Sequence, residues 1–208
     1  MLAYQRSLLD HDEAPGLRSL GDSVERTELA GGAWVDLRRD WVTGGDAVFE
    51  ELLGAVPWRA ERRPMYDRVV DVPRLVAFFA EADELPHPLL GRCREVLNDH
   101  YRPAPSDAVA TAGLCLYRDG ADSVAWHGDT IGRGSTEDTT VAIVSLGARR
   151  GLQLRPKGGG PSLRFDVGAG DLLVMGGSCQ RTWEHAVAKT KRPVGPRISV
   201  QFRPPGVR

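Results

Sequence analysis

The sequence lacks most of what would commit a chain to a special environment. It has three cysteines in 208 residues, Cys93, Cys115 and Cys179. An odd number without Cys-x-x-Cys spacing argues against a disulfide framework and a structural zinc site, so the thiols read as small, buried, apolar residues. No stretch reaches the ~18 apolar residues of a membrane span, and Met1 to Pro15 carries acids with no apolar run, so a secretory leader is not expected. There is no internal repeat and no low-complexity tract. The formal net charge of -1 gives no overall signal for a polyanionic partner. Together these absences point to a cytoplasmic globular protein with no membrane partner.

What is present is an ordinary globular composition, 41% hydrophobic and 26% charged, in a chain long enough for one well-filled core. The charge is unevenly spread. Met1 to His100 is net acidic and Tyr101 to Arg208 net basic, the basic half almost wholly through arginine, whose planar fork suits phosphate and carboxylate. The expected layout is one integrated domain: residues 1–107 as an N-terminal extension with two helices, and residues 108–208 as a catalytic core.

In the first part, Val24 to Leu29 and Ala33 to Leu37 alternate as short edge strands around Gly31-Gly32. Asp46 to Val56 has helical spacing and is stopped by Pro57; Pro86 to His100 reads as a second helix. Between them, residues 58–80 interleave Arg59, Arg62, Arg63, Arg68 and Arg74 with Trp58 and Tyr66. That mixture fits a nucleotide-recognition lid that stacks bases and grips phosphates, or simply a strand or two with core aromatics.

From Ala108 the pattern is all β. Strands are expected near Val109 to Tyr117, Ser123 to Trp126, Thr139 to Leu146, Gly151 to Arg155, Leu163 to Val167, Asp171 to Met175, Thr182 to Val187 and Arg197 to Phe202, separated by glycine-rich turns. The fold class is therefore α+β, mostly β: a double-stranded β-helix, or jelly roll, with the N-terminal helices buttressing one sheet.

Chemistry gathers at His127-Gly128-Asp129. In extended backbone, residues two apart point the same way, so an imidazole and a carboxylate can meet at one point. Chance alone could supply such a pair, and a third ligand from a distant strand, His185, would complete a metal site. Two histidines and one carboxylate leave three faces of an octahedral ion free, the arrangement of non-haem iron(II) oxygenases. In the last strand Arg197, Ser199, Gln201 and Arg203 share one face, and Ile198, Val200 and Phe202 the other. Guanidinium groups on an inner face call for an anionic ligand; a zinc hydrolase would not need that arginine pair.

Several segments together resemble the AlkB family of iron(II)- and 2-oxoglutarate-dependent dioxygenases: Leu116-Tyr117-Arg118-Asp119-Gly120, His127-x-Asp129, Val144-Ser145-Leu146-Gly147, Gly170-Asp171-Leu172-Leu173-Val174-Met175, His185, and Pro196-Arg197-x-Ser199-x-x-Phe202-Arg203. Val72-Pro73-Arg74 matches a further segment before the barrel. The resemblance implies that His127, Asp129 and His185 form the catalytic iron(II) site and that Arg197 pairs with the distal carboxylate of 2-oxoglutarate. Tyr117, Ser199 and Arg203 would help hold this co-substrate, with dioxygen as the oxidant. It implies oxidative demethylation of alkylated bases such as 1-methyladenine and 3-methylcytosine in DNA or RNA, releasing formaldehyde, succinate and carbon dioxide, by a monomer. Trp58, Tyr66, Arg68, Arg74, Trp126 and Ile131 would face the nucleic acid. Three positions depart from the family: Cys115 where asparagine is usual, Ser199 where asparagine is common, and Ile131 where an acid often follows the metal aspartate. A 2-oxoglutarate oxygenase acting on a protein side chain or small metabolite, and a jelly-roll binding protein without catalysis, are the alternatives.

Overall fold

The computed structural model describes residues 13–65, 68–102, 104 and 107–207, with the backbone alone at 63–65 and 68–71. Its elements in chain order begin with β1 (Gly16–Leu17), β2 (Glu25–Glu28), β3 (Ala33–Arg38), β4 (Val42–Thr43), α1 (Gly45–Ala55), β5 (Arg59–Met65), β6 (Arg68–Phe79) and α2 (Pro88–Tyr101). They continue with β7 (Thr111–Tyr117), β8 (Val124–His127), β9 (Val141–Gly147), β10 (Arg150–Pro156), β11 (Leu163–Val167), β12 (Leu172–Gly177), α3 (Cys179–Thr182), β13 (Trp183–Val187) and β14 (Arg197–Arg203).

Both long helices form where the sequence gives them a buried stripe and a defined start. In α1, Val48, Phe49 and Leu52 are buried at helical spacing. It starts from Gly44, whose φ of 59° and approach to the Glu13 and Pro15 backbone, where a Cβ would come within 2.6 Å, require glycine. In α2, Pro88 occupies the first turn and His87 Nδ1 caps it by accepting from the Leu89 amide at 3.0 Å. Leu89, Leu90, Cys93 and Leu97 are its buried side. No helix among the described residues is long and apolar enough to cross a membrane.

The strands form an eight-stranded sheet, β2-β3-β12-β9-β14-β7-β6-β5, and a four-stranded sheet, β11-β10-β13-β8, with β1 and β4 paired separately. This is the jelly roll expected from the alternation, and α1 and α2 pack on the outer face of the larger sheet. Ile198, Val200 and Phe202 of β14, Leu114 and Leu116 of β7, and Val144 and Leu146 of β9 share one apolar cluster with Phe49, Leu52, Leu90 and Leu97. A second cluster lies between the sheets, with Val35, Val141, Leu173 and Met175 facing Leu152, Leu154, Val167 and Trp183. The interior is thus apolar beneath β3, β12 and β9, and polar beneath β14, β7 and β6, where Arg197, Ser199 and Gln201 are buried.

The N-terminal half supplies four of the eight strands of the larger sheet. β3 pairs with β12, and β6 with β7. Without them β12 and β7 would be long unpaired edges with exposed backbone donors and acceptors. Residues 58–80 form the β5–β6 hairpin on the β7 edge, and Tyr66 of that segment lies outside the described residues. Cys93 and Cys179 are buried free thiols, each pushed up to about 12 by desolvation; Cys115 is half-buried.

Phe202 is fully buried on the helix side of β14. Phe202→Ala should lower stability by about 3–5 kcal/mol, read as a drop in the urea midpoint, while the folded variant keeps wild-type metal affinity because the inner face is unaltered.

Candidate metal centre

β8 and β13 set the three candidate ligands. His185 of β13 is paired directly with His127 of β8, and the two rings lie 4.2 Å apart between centroids. Asp129 follows β8 by two residues, and its Oδ1 is 3.8 Å from His127 Nε2. The ligand atoms of His127, Asp129 and His185 all lie within 4.8 Å of one another. His127 Nδ1 is 2.8 Å from the Ala125 carbonyl oxygen. A carbonyl only accepts, so this contact places the proton on Nδ1 and leaves the Nε2 lone pair facing Asp129.

Asp129 is fixed from two directions. The Gln180 amide oxygen, from α3, accepts from the Asp129 backbone N–H at 2.9 Å, and Arg203 Nε donates to Asp129 Oδ2 at 2.7 Å. Burial alone would raise the Asp129 pKa, but the Arg203 guanidinium, with smaller contributions from the two histidines, holds it down at about 2. His185 is pushed down to about 3, by desolvation first and then by His127. Near neutral pH the buried centre therefore offers an ionised carboxylate and a neutral imidazole, the protonation states a divalent metal needs. Oxygen and nitrogen donors without thiolate fit iron(II).

The polar interior beside this centre is cationic. Arg197 is 1% exposed, and its Nε donates to Ser145 Oγ at 2.8 Å. Its guanidinium carbon lies 5.4 Å from the centre of the buried Tyr117 ring. No carboxylate partner of Arg197 exists among the described residues. Arg74 reaches in from β6, its Nε donating to Cys115 Sγ at 3.3 Å and its Nη1 to the Ser123 carbonyl at 3.2 Å. Cys115 Sγ is 3.7 Å from Gln201 Oε1, and Gln201 Nε2 donates to Ser199 Oγ at 2.6 Å. Gly113 makes room for the last arginine: a Cβ there would meet Arg203 Nη1 at 2.9 Å.

His127, Asp129, His185, Tyr117, Arg197, Ser199, Arg203 and Arg74 thus share one interior, whereas two aromatics singled out from the sequence do not. Trp58 packs against the helix-side core and donates its indole N–H to the Leu53 carbonyl at 3.2 Å. Trp126 lies 4.2 Å below the Arg155 guanidinium, and Arg155 is bonded to Glu184 across β10 and β13. Leu154 and His185, the adjacent pair, take the interior, so Trp126 is on the outer face. Neither side chain therefore enters the interior that holds His127, Asp129 and His185. Ile131 is 66% exposed on the loop after Asp129; for Arg68 the backbone alone is described. Sequence reading missed Gln180 and Ser145 as supports. Ser145 was visible within its motif, whereas Gln180 lies in a four-residue helical turn too short for periodicity to show.

Residues 59–203 match the family described as the 2OG-Fe(II) oxygenase superfamily. The chain belongs to this superfamily. Within it, the chain is 31% identical over 193 residues to alpha-ketoglutarate-dependent dioxygenase alkB homolog 3 of Bos taurus, covering 82% of this chain and 63% of that protein. It is 30% identical over 134 residues to DNA oxidative demethylase ALKBH2 of Arabidopsis thaliana, covering 53% and 42%. The chain therefore spans less than two thirds of the length of these relatives. The solved structure of OsALKBH1 superposes with a TM-score of 0.56 at 16% identity, over 85% of this chain and all of that one, which shows the shared fold. The superfamily's iron(II) and 2-oxoglutarate agree with the donor set and the cationic interior described above.

The low pKa of His185 has a signed consequence for stability. An unfolded histidine takes a proton near 6.5, whereas the folded one resists down to about 3, so stability is lost as pH falls through that interval. Metal-free protein should therefore lose stability from pH 7 to pH 5, with a slope approaching ~1.4 kcal/mol per pH unit for one proton. His185→Gln should flatten it; urea titrations at several pH values, with an unchanged slope in the variant, would refute the assignment.

Proposed function

We propose that this protein is an iron(II)- and 2-oxoglutarate-dependent dioxygenase of AlkB type that demethylates alkylated bases in DNA or RNA. The observation that carries it is Arg197: a guanidinium buried to 1% exposure, with no carboxylate partner among the described residues, in the same interior as a His-Asp-His centre. Burying such a cation is costly unless an anion meets it, and the distal carboxylate of 2-oxoglutarate is that anion.

In this reading each residue has a physical task. His127, Asp129 and His185 hold iron(II), with Arg203 and Gln180 keeping the Asp129 carboxylate ionised and aimed. Arg197, oriented by the Ser145 hydroxyl, and Tyr117 would receive the distal carboxylate, and Ser199 would help hold the co-substrate. The apolar cluster under β9 and β12 closes the interior on that side. Iron(II), 2-oxoglutarate and dioxygen together supply hydroxylation of a C–H bond, with 2-oxoglutarate leaving as succinate and carbon dioxide. A hydroxylated N-methyl group then collapses to formaldehyde and the unmodified base. The base has to leave the stack first, at about a few kcal/mol, less where methylation has already broken its pairing.

Support for a nucleic-acid substrate comes from the names of the relatives and from the β5–β6 hairpin, where Arg59 and Arg62 are exposed on the edge beside Arg74. The exposed Ile131 is proposed as a further substrate contact, and Arg68 and Tyr66 stay in the proposal on the sequence alone. The second reading, a protein side chain or small metabolite as substrate, is favoured by the apolar Ile131 and by the turned-away Trp58 and Trp126. Three free thiols suit a reducing compartment such as the cytoplasm, and we take the chain to act as a monomer.

Protein with iron(II), ascorbate and 2-oxoglutarate should release formaldehyde from an oligonucleotide carrying 1-methyladenine or 3-methylcytosine, and Asp129→Ala should abolish the release. Arg197→Ala should raise the 2-oxoglutarate KM by about tenfold or more, the loss of one charge-assisted contact, and leave oligonucleotide affinity nearly unchanged. Succinate formation without turnover of any methylated oligonucleotide would shift the assignment to the second reading.

A further inference from the structure

Tyr117 has a second guanidinium beside it. Arg150, the first residue of β10, is 4% exposed, and its guanidinium carbon is 5.6 Å from the centre of the Tyr117 ring, against 5.4 Å for Arg197. Its contacts are backbone carbonyls. Nη1 donates to the Asp119 oxygen, and Nη2 to the oxygens of Asp122 and Ala188, each at 2.9 Å. The carboxylate of the neighbouring Asp122 is occupied by both the side chain and the amide of Arg118 at 2.8 Å. Asp119 Oδ1 accepts from the Ala121 amide.

Three carbonyls explain why the turn after β7 and the end of β13 stay together, but a neutral donor could do that. They do not explain a full positive charge placed where it works against another. Arg150 disfavours the charged form of Arg197, adding to the cost of Arg197's own burial, and burial likewise lowers the Arg150 pKa despite the nearby acids. Two buried like charges around one tyrosine are a poor arrangement in the free protein and a good one once an anion lies between or beside them.

We propose that Arg150 is a positioning residue for 2-oxoglutarate. Anchored by three carbonyls and packed at Tyr117, it supplies the second positive charge that selects a co-substrate with a distal carboxylate over a 2-oxo acid without one. It rests on the co-substrate reading above and adds to it. Arg197 makes the contact, and Arg150, tied to the backbone, acts through its field and by fixing Tyr117. Because it is tied, its charge is already in place before the ligand arrives, and little reorganisation is lost on binding.

The test is equilibrium binding to the full chain loaded with manganese(II), measured by calorimetry with 2-oxoglutarate and with 2-oxovalerate, which lacks the distal carboxylate. Arg150→Gln should weaken 2-oxoglutarate by about tenfold and leave 2-oxovalerate within about twofold, the coupling expected of a double-mutant cycle. Equal weakening of both ligands, as from general damage to the turn, or no change in either, overturns the proposal. If Arg150→Gln does not fold by circular dichroism, Arg150→Lys carries the same comparison. It keeps the charge and loses the forked carbonyl contacts, so a selective loss of about threefold for 2-oxoglutarate supports the role, and a nonselective loss refutes it. Arg197→Gln run in parallel separates the two ideas. If Arg197→Gln abolishes the preference and Arg150→Gln does not touch it, the co-substrate reading stands and only the role of Arg150 falls. If neither variant alters the preference, the co-substrate reading fails as well.

Discussion

The rest of this structure depends on how a β sandwich can carry guanidinium groups on its inside. A sandwich interior is a place of low dielectric, where a charge without a partner is costly. Here the inner surface under β14 and β7 holds Arg197, Arg203 and Arg74, and β10 adds Arg150. Asp129 answers one of them, through Arg203. Carbonyl oxygens and a thiol answer Arg150 and Arg74 in part. The surplus of positive charge is what ties the fold to an anionic ligand, and it also keeps Asp129 ionised beside two histidines.

One strand makes that arrangement affordable. β14 alternates strictly, with Ile198, Val200 and Phe202 in the helix-side core and Arg197, Ser199 and Gln201 in the interior. The apolar face is clamped by α1 and α2, so the strand cannot slip by one register without driving arginines among leucines. β9 and β7 flank it on both sides over most of its length, which fixes where each inner side chain emerges. Gly113, opposite Gln201, then leaves the space through which Arg203 crosses to Asp129. Stability on the outer face and placement on the inner face come from the same period of two.

That period is why so much was legible from the residues. The strand expected at Leu163 to Val167 is β11, and the two helices lie within two residues of where their apolar spacing and prolines put them. The His-x-Asp pair and the distant His185 do converge. Periodicity reports what an element is, however, and not what it pairs with. Nothing local in Ala33 to Leu37 says that it borders β12, and residues 58–80 become a hairpin only because β7 offers an edge. Trp126 shows a second limit. His185 pairs with His127 and Val187 with Val124, so β8 has one residue more than β13 over that interval. This bulge resets the alternation and turns Trp126 outward, something invisible without the partner strand.

The departures at Cys115, Ser199 and Ile131 fall into two groups once their surroundings are known. Cys115 and Ser199 belong to a connected chain of polar contacts running from Arg74 through Cys115 and Gln201 to Ser199. A thiol is a weak hydrogen-bonding group, so the amide usual at Cys115 has been lost, yet the Arg74 guanidinium comes within bonding distance of the same point. Arg74 stands in the Val-Pro-Arg segment that the chain shares with the family, so the cation at this point is kept while the amide beside it is replaced by a thiol. Ile131 has no such compensation. It is exposed on the loop that follows Asp129 and puts an apolar side chain where the family often has an acid. On the proposed reading, a base entering the site would meet an apolar contact at Ile131, a looser criterion than a hydrogen-bonded edge. Under that proposal, tolerance for more than one alkylated base would follow, because an apolar contact rejects an isostere far less sharply than a buried polar one.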